Sequence, residues 1–243
     1  GQLSMLDDPA FNRHVTAATD LLTRISARVA ETVEDVKAQE AEYEQVRAEL
    51  KPYRRLAHLW TARHFGTDVE DHQVQSMGKF LSNGTIVPIP AYKRLLARAE
   101  HIASQNMFFH WDLEFPEVFL FSDEKAQSRV NGFNAIVGNP PYGAIESLPR
   151  FTDLHKDSFV FFWKQSLDLA GQGAYVSLIT PAAWLTGLSF QNLRGLLLDH
   201  SELKLVVGLP YDVFPDAYID TCIAVVRGHC ASSDGEILVA QMG

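Results

Sequence analysis

This sequence is short of positive charge, nearly without cysteine and free of long apolar runs, and each shortage removes a class of protein. Its 243 residues carry 21 Lys and Arg against 30 Asp and Glu, a formal charge of −9. A chain so acidic argues against broad, sequence-independent nucleic-acid binding by itself, although a nucleic-acid substrate held by another segment stays open. Two cysteines do not suggest a disulfide framework. Cys222 lies in the apolar run Thr221 to Val226 and reads as an inert core residue, Cys230 lies in a Ser/Gly loop, and a reducing cytosol fits both. No apolar stretch approaches the roughly 18 residues that a membrane span needs, and no signal-peptide pattern opens the chain. What is present is 47% hydrophobic and 21% charged residues, enough for one good core and an appendage.

The first hundred residues read as helical. From Pro9 to about Glu49, Leu22, Ile25, Val29, Val33 and Val36 recur at threes and fours, while Arg24, Arg28, Glu31, Glu34, Asp35 and Lys37 fill the other faces. Asp7 and Asp8 ahead of Pro9 suit a cap and first turn. Lys51-Pro52 predicts a break, and Tyr53 to Phe65 a second helix with Leu56, Leu59, Trp60 and His64 on one side. Its Trp60-x-x-Arg63-His64 could touch a ligand, but a packing anchor is the simpler reading. Residues 66–90, with Gly66, Gly78, Asn83-Gly84, Pro88 and Pro90, predict a long irregular connection, followed by a helix from about Tyr92 to Gln105. Then comes FFHWDLEFPEVF, Phe108 to Phe119. His110, Asp112, Glu114 and Glu117 could form a metal or acid–base set, yet aromatic packing under a sheet edge fits the composition better.

Beyond this block strands and helices alternate. Phe133 to Val137 is an apolar strand, Asp157 to Ala170 a helix with Phe159, Phe162, Trp163 and Leu167, and Ala174 to Thr180 a buried strand closed by Pro181. Leu188 to Asp199 is a second helix with Leu193, Leu196 and Leu197 inward, and Leu203 to Leu209 and Asp220 to Arg227 are further strands. The alternation predicts a parallel α/β sheet. The last two strands, joined by only about ten turn-like residues, predict one antiparallel pair.

The first of these strands ends in Gly138-Asn139-Pro140-Pro141-Tyr142. Two prolines have no N–H to donate and hold φ fixed, so the backbone there is stiff and extended. Asn139 offers a carboxamide, Pro140 a carbonyl with no helix or sheet to join, and Tyr142 a flat ring. Acceptors beside an aromatic platform suit a planar substrate bearing an –NH₂ group. In α/β sheets such substrates bind at the carboxyl ends of strands, where this corner and Thr180-Pro181 both sit.

FNAIVGNPPYG, a Phe-rich helix, AYVSLITPAAWL, a helix containing LR, and VFPDAYIDTCIAVV together resemble the gamma-class adenine-N6 DNA methyltransferases. With FFHWDLEFPEVF ahead of GFNAIVGNPPYG, the chain looks more closely like the large methylases of single-chain restriction–modification enzymes and phage-defence systems. The resemblance covers about residues 100–227. It implies an α/β fold, the C-terminal half of a Rossmann-like class I methyltransferase sheet, preceded by a mainly α-helical insertion. Residues 1–107 would be the insertion and 108–243 the catalytic half.

The resemblance also implies roles. A flipped adenine would present its N6 amine to the Asn139 carboxamide oxygen and the Pro140 carbonyl, with Pro141 stiffening the corner and Tyr142 stacking on the base. Phe214 would hold the base from another side. Phe162, with Asn139, would lie near the cofactor, S-adenosyl-L-methionine. The family's glycine-rich cofactor turn should stand upstream, but the glycines before Gly138 are Gly1, Gly66, Gly78, Gly84 and Gly132, none clustered after an apolar strand. The expectation is therefore a cut piece of a larger cytoplasmic protein, inactive alone and a poor binder of the cofactor. Double-stranded DNA would be engaged through the full-length protein, with cofactor-binding and target-recognition segments as partners. Three other readings remain: methylation of protein glutamine or RNA, a helical interaction module on an inactive remnant, and a nuclease using Asp112 with Asp123-x-Lys125.

Overall fold

The computed structural model describes residues 9–70, 72–74, 90–120, 132–144, 156–211, 213–214, 219–228 and 237–242. They fall into two compact units, Gly1–Ser122 and Asp123–Gly243.

The first unit is helical. The periodicity from Pro9 predicts one helix, but two are present, α1 (Pro9–Ser26) and α2 (Val33–Ala62). A capping box makes the break. The Thr32 hydroxyl accepts the Asp35 N–H at 3.1 Å, and the Asp35 carboxylate accepts the Thr32 N–H at 2.9 Å. Val29, Val33 and Val36, assigned by spacing to an apolar stripe, are consequently exposed. Pro52 errs in the opposite sense, because α2 runs straight through it. Proline deletes one backbone bond, but the flanking Leu50 and Tyr53 are buried with Val15 and Ala18 of α1. Leu56 and Leu59 are buried with Leu96 and Ala99 of α3 (Pro90–Gln105). Tertiary packing on both sides holds the helix across the gap. Trp60 packs in the second of these clusters with the Arg63 guanidinium 4.6 Å above its ring. Asp7, Asp8 and most of the predicted connection between Gly66 and Pro90 lie outside the described residues, as do Asp123, Lys125 and Cys230.

The FFHWDLEFPEVF block belongs to this unit. It forms two single turns, α4 (Trp111–Glu114) and α5 (Pro116–Phe119), and it packs on α2. Leu113 enters the α1–α2 cluster and Phe108 the α2–α3 cluster. Two of its polar residues, His110 and Glu114, have partners on α2. His110 Nε2 lies 2.9 Å from His58 Nδ1, Glu114 pairs with Arg54 at 2.8 Å, and the Tyr43 hydroxyl donates to Glu114 at 3.4 Å.

The second unit is a five-stranded α/β sheet in the order β1-β2-β4-β3-β5. The strands are β1 (Phe133–Gly138), β2 (Ala170–Pro181), β3 (Ser201–Gly208), β4 (Thr221–Gly228) and β5 (Leu238–Gln241). β1 and β2 are parallel, joined through α6 (Ser158–Leu169). A 3-10 turn, Leu188–Phe190, leads into α7 (Gln191–His200) ahead of β3. β3 and β4 are antiparallel, as the short connection predicts. The sheet is mixed rather than parallel throughout, because β4 returns into the slot between β2 and β3 and runs against both.

Phe159, Trp163 and Leu167 of α6, Leu193 and Leu197 of α7, and Val176, Leu178, Cys222, Ala224 and Val226 of the sheet form one core. Phe162 breaks from the helical spacing that grouped it with Phe159 and Trp163, and stays 44% exposed. Among the described residues β1 pairs only with β2, and Val137 is 83% exposed, so the sheet has an open edge there. Gly132 lets the chain enter β1. Its φ is +154°, and a Cβ would stand 2.5 Å from Gly171 N and 2.7 Å from Leu169 O, which are backbone atoms that cannot yield.

The histidine pair gives the helical unit a pH dependence. Burial first, then the neighbouring His58 and Arg54, pushes His110 down to about 4 from an ordinary 6.5. Between those values the unfolded chain binds the extra proton, so stability is full above about pH 6.5 and drains as the pH falls toward 4. Between pH 7 and pH 5 the expected loss is at most about 2 kcal/mol, less what solvent screening removes from a partly exposed ring. Urea unfolding followed by circular dichroism at pH 7 and pH 5 should show it, and His110→Phe should flatten the dependence.

Candidate active site

β1, β2 and β3 all run against β4 or alongside one another, so their carboxyl ends share one edge of the sheet. Asn139 to Tyr142 leaves that edge from β1, Thr180-Pro181 ends β2, and the loop after β3 carries Phe214. Each predicted site residue except Phe162 is therefore at this edge for a topological reason.

The corner is held by side chains. The Tyr142 hydroxyl donates to Asn139 Oδ1 at 3.2 Å and lies 3.4 Å from the Ile179 carbonyl of β2. Asn139 and Pro141 are exposed, Pro140 is buried and Tyr142 is half-buried. Burial, and secondarily the nearby Cys222, raises the Tyr142 hydroxyl above its usual 10, so it stays protonated at neutral pH and acts there as a donor. Phe214 stands opposite, its ring centroid 6.3 Å from that of Tyr142 and inclined at 81°. The two rings make a flat face and an edge at right angles, with the Asn139 carboxamide beside them. Pro215 and Asp216 of the VFPDA motif lie outside the described residues.

Phe162 is one helical turn beyond Ser158, the residue that begins α6. Ser158 itself hydrogen-bonds the corner: its hydroxyl donates to the Pro141 carbonyl, and its backbone N–H donates to Gly143 O at 2.8 Å. Sequence reasoning missed Ser158. The available signal was Asp157-Ser158 at a helix start, which looks like ordinary capping, yet Asp157 makes no side-chain capping bond.

Beneath the corner a buried polar chain was also missed. Trp184 Nε1 donates to Thr180 Oγ1 at 3.1 Å, and Thr180 Oγ1 lies 3.9 Å from Cys222 Sγ. Burial raises the Cys222 thiol, so it is a neutral core group, as its apolar run implies. Arg194 of α7 donates through Nη1 to the Trp184 and Gly187 carbonyls at 2.6 and 2.8 Å, fixing the loop after β2.

Against protein families, residues 23–214 match the Eco57I restriction-modification methylase model. The chain belongs to that family. A protein of Methanocaldococcus jannaschii, assigned as a type II restriction enzyme and methyltransferase, is 32% identical to this methylase-family chain over 137 residues, 54% of its length. The chain spans only 11% of the length of that relative. Among solved structures, a modification subunit assigned to a type I restriction enzyme of Vibrio vulnificus YJ016 aligns at 14% identity and a TM-score of 0.39, over 88% of this chain and 53% of the other. A protein of Listeria monocytogenes, assigned as a class I S-adenosylmethionine-dependent methyltransferase, aligns at 14% identity and a TM-score of 0.39, over 99% and 91%.

Removing the Thr180 hydroxyl tests the floor of the site. In Thr180→Val the Trp184 N–H is left buried without an acceptor, and stability should fall by about 1–3 kcal/mol. Urea denaturation read by tryptophan fluorescence measures it. An unchanged midpoint would mean that the Trp184–Thr180 bond carries no weight.

Proposed function

We propose that this chain carries the base-acceptor half of a DNA adenine-N6 methyltransferase that acts in restriction–modification or phage defence, with S-adenosylmethionine as methyl donor. The observation that carries the reading is the Tyr142 hydroxyl on Asn139 Oδ1, with the Phe214 ring across from it. An amide oxygen has two lone pairs. One is taken by Tyr142 and the other is available to an incoming amine. The Pro140 carbonyl is the second acceptor, and among the described residues no donor occupies it.

A base in a duplex cannot reach these groups, so the adenine is flipped out of the stack. The Tyr142 face takes the base plane, a contact of about 1–3 kcal/mol by analogy with single-strand stacking, and Phe214 closes one side. The two acceptors draw on the N6 hydrogens and direct the nitrogen lone pair out of the base plane, so the nitrogen becomes the nucleophile. Positive charge grows on that nitrogen as the bond forms, and the same oxygens stabilise it. Pro140 and Pro141 keep the oxygens fixed, which supplies most of the rate advantage as positioning. The reaction needs no general base, because the proton leaves to water after alkylation.

S-adenosylmethionine, when bound, supplies the electrophilic methyl group. Phe162 suits a place beside it, since its ring is 44% exposed on a helix whose Phe159 and Trp163 are buried. Asn139 borders both substrates. The ribose and methionine contacts would come from other segments of the full-length protein, as would the contacts that choose a DNA sequence.

Transfer of labelled methyl to DNA by the full-length protein tests these roles. Asn139→Ala should lower kcat about 10²- to 10³-fold. Tyr142→Phe, which keeps the ring, should retain more activity than Tyr142→Ala. Undiminished transfer by Asn139→Ala would remove the catalytic assignment.

A further inference from the structure

We infer that Ser158 is the positioning residue that decides which carbonyl of the Asn139-to-Gly143 corner faces the substrate, an inference that rests on the methyltransferase reading above. The two prolines cannot fasten themselves. Pro140 and Pro141 contribute no N–H, so that stretch of backbone can be held only through its carbonyls and through side chains. Ser158 takes two of those carbonyls at once. Its hydroxyl donates to Pro141 O and its N–H donates to Gly143 O at 2.8 Å.

The second bond uses a group that every helix has to spare. Ser158 N–H belongs to the first turn of α6 and has no partner within the helix. Spending it on Gly143 attaches the corner to a helix packed into the core. Ser158 is only 5% exposed, in the first turn of the helix that carries the core residues Phe159 and Trp163. A bridge between Ala144 and Asp157 extends the same attachment by one residue pair. Gly143 makes the path possible with φ at +126°, where a side chain would be strained, and no atom lies within 4 Å of the place its Cβ would take.

The consequence is selection among neighbouring oxygens. Of the two proline carbonyls, Pro141 O is engaged by the serine hydroxyl, which leaves Pro140 O for an amine. Without the hydroxyl, Pro141 O loses its donor and the Pro140–Pro141 unit is free to rotate as a body, taking Pro140 O away from Asn139 Oδ1. Both acceptors must point at one nitrogen, so a small rotation reaches the reaction directly. Ser158 touches neither substrate and acts through Pro141.

The test uses the full-length protein with Ser158→Ala, Ser158→Thr and Asn139→Ala side by side. It reads kcat and KM for DNA methylation, the dissociation constant for S-adenosylmethionine, and the thermal midpoint. Ser158→Ala should lower kcat about 10- to 100-fold, the scale of a misplaced reacting group, with cofactor affinity unchanged, and Ser158→Thr, which keeps the hydroxyl, should recover most of the rate. Parental kcat in Ser158→Ala beside an inactive Asn139→Ala overturns the inference and leaves the methyltransferase reading standing. A fall in kcat matched by lost cofactor affinity and a lowered midpoint also overturns it, since that is a folding defect. Full activity in Asn139→Ala removes the underlying reading and this inference with it.

Discussion

Two adjacent prolines at the end of a strand impose the constraint on which the site depends. Pro140 and Pro141 give stiffness but no donors, so every hydrogen bond that fixes the corner has to be brought by other residues. The Tyr142 hydroxyl brings one to Asn139, and Ser158 brings two to Pro141 and Gly143. Rigidity and hydrogen-bonding capacity are thus separated between residues. The prolines supply fixed acceptors, and Tyr142 with the first turn of α6 supplies the donors that keep the corner in place. A site whose chemistry is the placement of lone pairs around an amine benefits from such a division.

The sheet gives this corner its neighbours. Because β4 enters between β2 and β3 and runs against both, β1, β2, β3 and β5 all end on the same edge, and the loop after β3 delivers Phe214 to Tyr142 across two intervening strands. The floor is a neutral polar chain, Trp184 to Thr180 to Cys222, closed by backbone-directed bonds from Arg194. In the helical unit the FFHWDLEFPEVF block is fastened by a histidine pair and a mostly buried Arg54–Glu114 bridge. Its dense aromatics therefore accompany a polar lock on α2.

Much of the second unit was legible because its signals are local. The strand ending at Asn139, the helix carrying Phe159 and Trp163, and the antiparallel β3–β4 pair follow from spacing and connection length. Pairing order was not legible, since a strand's apolar run does not say which slot it fills, and β4 added a second antiparallel pair, with β2, to the one expected with β3. In the helical unit, local signals misled. Pro52 reads as a breaker until burial on both sides of it is known, and Val29, Val33 and Val36 read as a core stripe until the Thr32–Asp35 box is seen to start a second helix. Ser158 escaped notice for a related reason. A serine at a helix start has an ordinary explanation, and only the tertiary contact with Pro141 gives it another.

The central claim is that the corner receives the exocyclic amine of a flipped adenine in DNA. The most direct measurement is to incubate the full-length protein with DNA and isotopically labelled S-adenosylmethionine, digest the DNA to nucleosides, and identify the labelled species by mass spectrometry. The account predicts label in N6-methyldeoxyadenosine alone. Label in 5-methyldeoxycytidine, or label recovered from protein or RNA with none in DNA, would contradict it.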